Sequence, residues 1–406
     1  MVPRESRTVP RPEPHAPVPS ALGWPEARAT ARAAGRPLPA VSRTLHHARD
    51  HVLARPIVAL TDLPSFDTSA MDGWAVAGPG PWRVRGRLLA GDSGGEIGVM
   101  RDGDAVEIAT GARVPHGATA VLRSEQSRVE GRTLFADAHI QQGTDIRACG
   151  QECRRGDELL PAGTTVTPGV TGLAAASGYD ELVVVDRPRV ELLVLGDELL
   201  DSGLPREGRI RDALGPLITP WLRTLGADLL RVRRVGDNPD TLRAHVSGSR
   251  ADVVITTGGT ADGPRDHVHR LLAELAADVL VDGVAVRPGH PMLLAHLPGE
   301  RPGAGRYLVG LPGNPLAAVA GMLTLAVPLL RRLSGRPEPR PRRIRAGADI
   351  AGHPHDTRLV PMRGDRPLAF AGPAMLRGLA VADRIAVVPP GGVRVGDPVE
   401  VLAAPR

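Results

Sequence analysis

The sequence predicts a multidomain protein of mixed α/β and β architecture. It contains a helical or mixed linker domain, a small β-rich domain, a three-layer α/β domain with a mainly parallel sheet, and a C-terminal β-barrel domain. Three observations carry this reading. From Arg189 to about residue 338, apolar runs such as VELLVLG and ADVVITT alternate with helical patterns, the mark of a parallel sheet. Those runs lack polar alternation, as burial on both faces requires. Elsewhere, residues 73–138 and the last 65 or so residues show short alternating segments broken by glycine and proline, which fits small β domains.

Taken in order, residues 1–22 are rich in proline and charge and lack periodicity, so a disordered tail is expected. From Pro25 to Ala59 a helical pattern fits, with LHHARDHVLA its clearest turn; residues 23–60, together with 141–187, make the linker domain. Residues 61–140 form the β-rich domain, with WRVRGRLLA, DAVEIATGA and ATAVLRSEQ as strands. GVTGLAAASGY reads as a helix. The α/β domain spans 188–338. Its expected strands are VELLVLG, ADLLRVRRV, ADVVITTGG, VAVRPGHP and RYLVGLPG. Helices are expected at TPWLRTLGA, PDTLRAHVSG, PRDHVHRLLAELAA and NPLAAVAGMLTLAVPLLRRL. The linker GRPEPRPRR ends it, and residues 339–406 form the C-terminal domain through RLVPM, LAFAGP, DRIAVVPPGG and DPVEVL.

Composition narrows the function. Apolar residues make up 42% and aromatics 2%, so the cores are built from Leu, Val, Ala and Ile. There is no lysine; all 50 basic residues are arginine. A formal charge of +5 over 406 residues, without basic residues interleaved with aromatics, argues against a nucleic-acid partner. Cys149 and Cys153 are spaced C-x3-C, which is neither a disulfide framework nor a C-x-x-C site. No apolar leader is visible at the N-terminus. The run Leu316 to Leu330 is short for a bilayer span and contains a proline. The expected setting is cytoplasmic, with no membrane partner.

Four stretches can carry chemistry. In PSFDTSAMDGWAV, Asp72 lies at the entry to the β-rich domain; a capped turn would explain it equally well. In ATGARVPHGATAV, Thr110 precedes a glycine at a strand end. In LVLGDELLDSG, a buried strand ends at Gly196 and is followed by Asp197 and Glu198. The carboxyl edge of an open parallel sheet is where ligands bind, and hard carboxylate oxygens suit Mg²⁺. The fourth is VVITTGGTADGPRDH with VRPGHP and LPGNPLAAV. Thr257, Gly258, Gly259 and Thr260 offer bare backbone at a strand end. Arg265 and Asp266 open the next helix, and Pro312, Gly313, Asn314 and Pro315 open another. Such strand-to-helix turns suit phosphates, and a plain chain reversal explains the glycines of TTGG equally well. Arg287 and His290 add cations, so the edge carries both signs of charge, as a metal-bridged phosphate substrate would need.

SAMDGWAV, TGARVPHGA, the LGDEL strand end, TTGGTADGPRD and LPGNP occur in one chain and in this order. From about residue 40 to the C-terminus, that order resembles the molybdopterin molybdenumtransferases, the MoeA and gephyrin E-domain family. The resemblance implies an elongated four-domain homodimer whose active cleft lies between the α/β domain of one chain and the β-rich domain of the other. It implies that adenylylated molybdopterin and molybdate react in the presence of Mg²⁺, releasing AMP and forming molybdenum cofactor. Carried over by motif, the catalytic positions are Asp72, Thr110, Glu198, Asp266, Arg287 and His290. Glu198 and Asp266 would hold the metal. The segments Thr257–Thr260 and Pro312–Pro315, with Arg265, would bind substrate. Glu152, in IRACGQEC, stands where the family usually has aspartate and would also bind substrate.

This chain departs from the family at several points. Arg287 and His290 replace lysines, Ala261 and Asp262 replace a Ser-Val pair, and Ala213 and Leu214 stand where an asparagine stretch is usual. Two alternatives therefore stay open: a weakened paralogue that binds molybdopterin or a partner protein without inserting metal, and a molybdopterin adenylyltransferase. Molybdoenzymes or other cofactor-biosynthesis proteins are the partners the resemblance implies.

Overall fold

The computed structural model describes residues 21–92, 97–260, 267–298 and 305–405. The expected tail thus lies outside the described residues, apart from Ala21 and Leu22. The chain forms two compact units, residues 40–184 and residues up to 39 together with 185 onward.

The 40–184 unit contains a six-stranded sheet. Its order is Ser127–Glu130, Thr133–Ala136, Trp82–Leu88, Asp104–Ile108, Gly73–Val76 and Ala120–Arg123. Alternate residues such as Val106, Ile108 and Val121 pack inward, which is the period-2 pattern legible in the sequence. The Gly73–Val76 strand lies next to the sheet edge, flanked by Asp104–Ile108 and Ala120–Arg123. The linker portion carries the expected helix, Pro168–Ala176, started by the Thr167 hydroxyl accepting from the Val170 N–H at 3.3 Å. Residues 40–59 depart from the helical expectation. Only Leu45–Ala48 is helical, and Ala40–Thr44, Val52–Leu53 and Ile57–Val58 are strands. The chain turns through a left-handed Asp50, and Pro56 cannot continue a helix.

In the second unit, the strands Asp228–Val235, Arg189–Leu195, Val253–Thr257 and Arg306–Leu311 lie side by side and parallel. Leu293–Leu297 and Asp278–Asp282 extend the sheet antiparallel. Val190, Leu192 and Val194 enter one core, while Leu193 and Leu195 enter the core on the opposite face. Both faces are covered, so the strands read as unbroken apolar runs. Helices Leu214–Thr224 and Pro315–Leu333 contribute to the first core; Pro239–Gly248 and His267–Glu274 contribute to the second.

Helix Trp24–Ala34 also belongs to this unit, not to the linker domain where residues 23–39 were expected. Trp24, Ala27 and Ala31 are buried in the first core, and the Trp24 indole N–H donates to the Thr324 hydroxyl at 3.0 Å. Alanines at this spacing let two helices approach closely, a weak apolar signal in sequence.

The Pro315–Leu333 helix has 19 residues and mean hydropathy 1.6, long and apolar enough to cross a membrane by length alone, yet 83% of it is buried within the molecule. It matches the helix expected over residues 314–333 and serves as a core helix. Residues Met322–Ala326 form a π-turn, which accommodates Pro328, whose missing N–H and bulky ring disrupt a regular turn.

The C-terminal strands Thr357–Arg363, Arg384–Val388, Pro398–Ala403 and Arg342–Arg345 form a sheet that continues through Val284–Arg287 to Leu22–Gly23, with Arg366–Pro367 at its side. Two expectations change here. VAVRPGHP supplies a strand to this sheet and not to the parallel one. Pairing among the described residues runs as an open path from Leu22–Gly23 to Arg342–Arg345, not as a closed ring.

Candidate functional site

Each unit assembles its own set of the expected residues. In the 40–184 unit, register places Gly73 opposite Ile108, so the residue before one strand meets the residue shortly after the other. Asp72 Oδ1 accepts from the Thr110 N–H at 2.7 Å and from the Thr110 hydroxyl at 2.9 Å. These two donors, the backbone N–H foremost, hold the exposed Asp72 carboxyl below the usual carboxylate range. Gly73 permits the arrangement: a Cβ there would lie 2.0 Å from the Leu122 carbonyl oxygen. Glu152 is exposed, and its N–H donates to the Leu63 carbonyl. No hydrogen bond joins its carboxylate to the Asp72–Thr110 pair.

In the second unit, three parallel strands end together. Leu195 runs into Gly196, Thr257 into Gly258, and Leu311 into Pro312 and Gly313. The Gly258 N–H donates to the Leu311 carbonyl at 2.8 Å, and a Cβ on Gly313 would sit 3.7 Å from the Gly258 Cα. Gly196 has φ +133° and faces the Glu198 carboxylate, 2.5 Å from where its Cβ would be. Gly236 makes the same room for Asp197, at 2.4 Å. The glycines let two acidic side chains lie back over the strand ends. Glu198 is exposed, with no ion-pair partner among the described residues. Thr260 packs against Gly310.

Thr256 and Thr257 are 0% and 1% exposed, and neither hydroxyl has a hydrogen-bond partner among the described residues. Successive strand residues point to opposite faces, so one buried hydroxyl lies on each side of the strand end. A buried unpaired hydroxyl costs about 1–3 kcal/mol. Thr256 was not singled out in the sequence, where it reads as one more β-branched core residue.

Arg265 and Asp266, with Ala261 and Asp262, lie outside the described residues. Asn314 and Pro315 start their helix as expected, but the N–H groups of its first turn do not stand open to an anion. Those of Leu316 and Ala317 donate to the Pro373 carbonyl at 2.9 and 3.4 Å. Pro373 lies some 60 residues further along, and nothing local announces it.

Arg287 is half exposed, and its Nε donates to Asp356 Oδ2 at 2.7 Å. Its charge is thus shared with a carboxylate 69 residues away. The His290 ring places Nδ1 2.8 Å from the Val284 carbonyl, so Nδ1–H donates there and Nε2 is left for other contacts. Asp212 is a further addition. Its Oδ1 accepts from the Leu214 and Gly215 N–H groups at 2.9 and 3.1 Å, capping the helix at the IRDAL stretch. Leu214 itself is 6% exposed in the core, which accounts for an apolar residue there. Among the described residues, no three histidine, cysteine or acidic side chains converge as a metal site.

The model of the MoeA N-terminal region, domains I and II, matches residues 22–178, and that of a probable molybdopterin binding domain matches residues 191–332. A molybdopterin molybdenumtransferase from Staphylococcus aureus is 32% identical over 320 residues, covering 76% of this chain and 75% of the relative. The chain belongs to the molybdopterin molybdenumtransferase family. A second such enzyme, from a Nostoc species, is 33% identical over 301 residues, 71% of this chain and 68% of its own. The fold agrees: a molybdopterin biosynthesis MoeA protein from Pyrococcus horikoshii superposes with TM-score 0.75 at 21% identity, over 95% of this chain and all of that one. Membership in this family ties the chain to molybdenum cofactor biosynthesis. The strand-end glycines, Thr256, Thr257 and Glu198 all lie within the molybdopterin-binding match, and Asp72 and Thr110 lie within the MoeA N-terminal match.

Proposed function

We propose that this chain inserts molybdate into adenylylated molybdopterin with Mg²⁺ and releases AMP, working as a cytoplasmic homodimer. The observation that supports this most is the strand-end cluster. Bare glycine backbone and the exposed Asp197 and Glu198 carboxylates are gathered at the carboxyl edge of a mainly parallel sheet. That is a phosphate-binding edge with a hard-oxygen ligand beside it. Exposed carboxylates at a phosphate-binding edge fit an ion such as Mg²⁺ that keeps waters and shares substrate phosphate oxygens. Glu198 and Asp266 would hold it, and Mg²⁺ would supply charge neutralisation at the phosphoanhydride.

The chain's own groups take the remaining roles. Gly258, Gly259, Thr260, Gly313 and Asn314, with Arg265, would receive the pterin phosphate. Asp72 stays ionised because Thr110 donates to it twice, and it would orient water against the phosphoanhydride. Arg287 and His290 Nε2 would attract the molybdate dianion, with Arg287 weakened as an anion site by Asp356.

A second reading, binding without turnover, is favoured by two observations: Leu214 is buried where the family places a polar residue, and Arg287 is already paired. Incubating the full chain with adenylylated molybdopterin and Mg²⁺, with and without molybdate, separates the two. Molybdate-stimulated AMP release supports transfer, and tight binding without release supports the second reading. Consumption of ATP with free molybdopterin would point to adenylyl transfer.

A further inference from the structure

A cavity of about 990 Å³ opens between helix Trp24–Ala34, residues 331–342 and the Pro398–Ala403 strand. Organic ligands usually occupy roughly 300–1,000 Å³. None of its lining residues belongs to the strand-end site. Six arginines line it: Arg28, Arg32, Arg331, Arg340, Arg342 and Arg384. Only three carboxylates accompany them, Glu338, Asp383 and Glu400. Two arginines are satisfied: Arg28 Nη2 reaches Glu338 at 3.2 Å, and Arg384 grips Asp383 through two 3.0 Å bonds. Arg32, Arg331, Arg340 and Arg342 have no carboxylate within ion-pair distance among the described residues.

Arg331 is the telling member. Its Nε is buried and unbonded, while Nη2 donates to the Pro337 carbonyl. Burial pulls Arg331 below the ordinary arginine value, the sign of guanidinium charge removed from water without full compensation. A desolvated, incompletely paired cation is unfavourable until an anion arrives. Several guanidinium groups around one space match the bidentate geometry of phosphate oxygens. Val401, Leu402 and Ala403 give the cavity an apolar wall as well, suited to the organic part of a ligand.

We propose that this cavity is a second binding site, for a nucleotide-sized polyanion carrying phosphate groups. The GRPEPRPRR segment, which the sequence offers only as a linker, supplies Arg340 and Arg342 to it. The inference is independent of the activity proposed for the strand ends.

ATP titrated into the full chain by calorimetry tests it, using three proteins. These are the wild type, the double variant Arg340→Ala with Arg342→Ala, and Glu198→Gln. Both linker arginines are exposed, and an unchanged melting curve confirms that the double variant is folded. The proposal expects a binding event that weakens at least tenfold in the double variant, weakens with added salt and survives in Glu198→Gln. No ATP binding at millimolar concentration would overturn it. So would equal affinity in the wild type and the double variant, or loss confined to Glu198→Gln, which would place the nucleotide only at the strand ends.

Discussion

Replacing Gly73 with alanine ties the fold of the β-rich unit to its part of the site. The added Cβ would stand 2.0 Å from the Leu122 carbonyl oxygen and 2.9 Å from the Arg123 Cα, and both are backbone, which no rotamer change can move. The Gly73–Val76 strand must shift by more than an ångström. Overpacking of this kind costs about 1–3 kcal/mol. Each ladder hydrogen bond lost adds about 1 kcal/mol, and Gly73 is paired on both sides. A loss of about 2–5 kcal/mol corresponds to a melting-temperature fall of roughly 5–15 °C for a unit of this size. The Thr110 bonds to Asp72 should fail with it, so AMP release should fall together with stability. Gly172→Ala serves as the control. Gly172 lies inside the Pro168–Ala176 helix with nothing within 4 Å of a Cβ, so alanine there should stabilise by about 0.5–1 kcal/mol. Differential scanning calorimetry of the full chain reads both variants. If Gly73→Ala melted within about 1 °C of the wild type, or if Gly172→Ala were equally destabilising, the packing argument would fail.

Three further predictions follow from the site. Because two Thr110 donors depress Asp72, its ionised form persists below the ordinary carboxylate range and is lost only as pH falls further. Thr110→Val removes the hydroxyl donor, so the acid limb of the AMP-release profile should move to higher pH, and an unmoved limb would remove Asp72 from the mechanism. Arg287→Ala should raise KM for molybdate roughly 10- to 100-fold, as loss of a charge-assisted contact implies; Asp356→Asn, which frees the guanidinium, should lower it. Asp212→Ala uncaps the Leu214–Thr224 helix and should cost about 1 kcal/mol, seen as a melting shift of a few degrees with little change in substrate affinity.

The parallel sheet was legible because its strands are buried on both faces, which leaves long apolar runs ending at glycines. Asp72 and Thr110 were legible as motifs, although their direct contact depends on strand register that no local pattern reveals. What the sequence hid is mostly non-local. Val284–Arg287 looks like any other strand of the α/β domain until Thr357–Arg363 pairs with it. The Asp356 partner of Arg287 and the Pro373 carbonyl over the Asn314 helix come from distant segments with no periodic signal. The packing partner of Trp24–Ala34 is hidden because its buried stripe is mainly alanine, which carries little apolar signal. Thr256 reads as packing because it is a β-branched residue in a buried strand, whereas the lack of a partner for its hydroxyl among the described residues is visible only in three dimensions.

The most direct test of the account is a single-turnover reaction of the full chain with adenylylated molybdopterin, Mg²⁺ and molybdate, following AMP and pterin-bound molybdenum in the same samples. The account predicts that the two rise together at equal yield and that both disappear in Glu198→Gln. AMP appearing without pterin-bound molybdenum, or substrate held tightly with neither product formed, would contradict it.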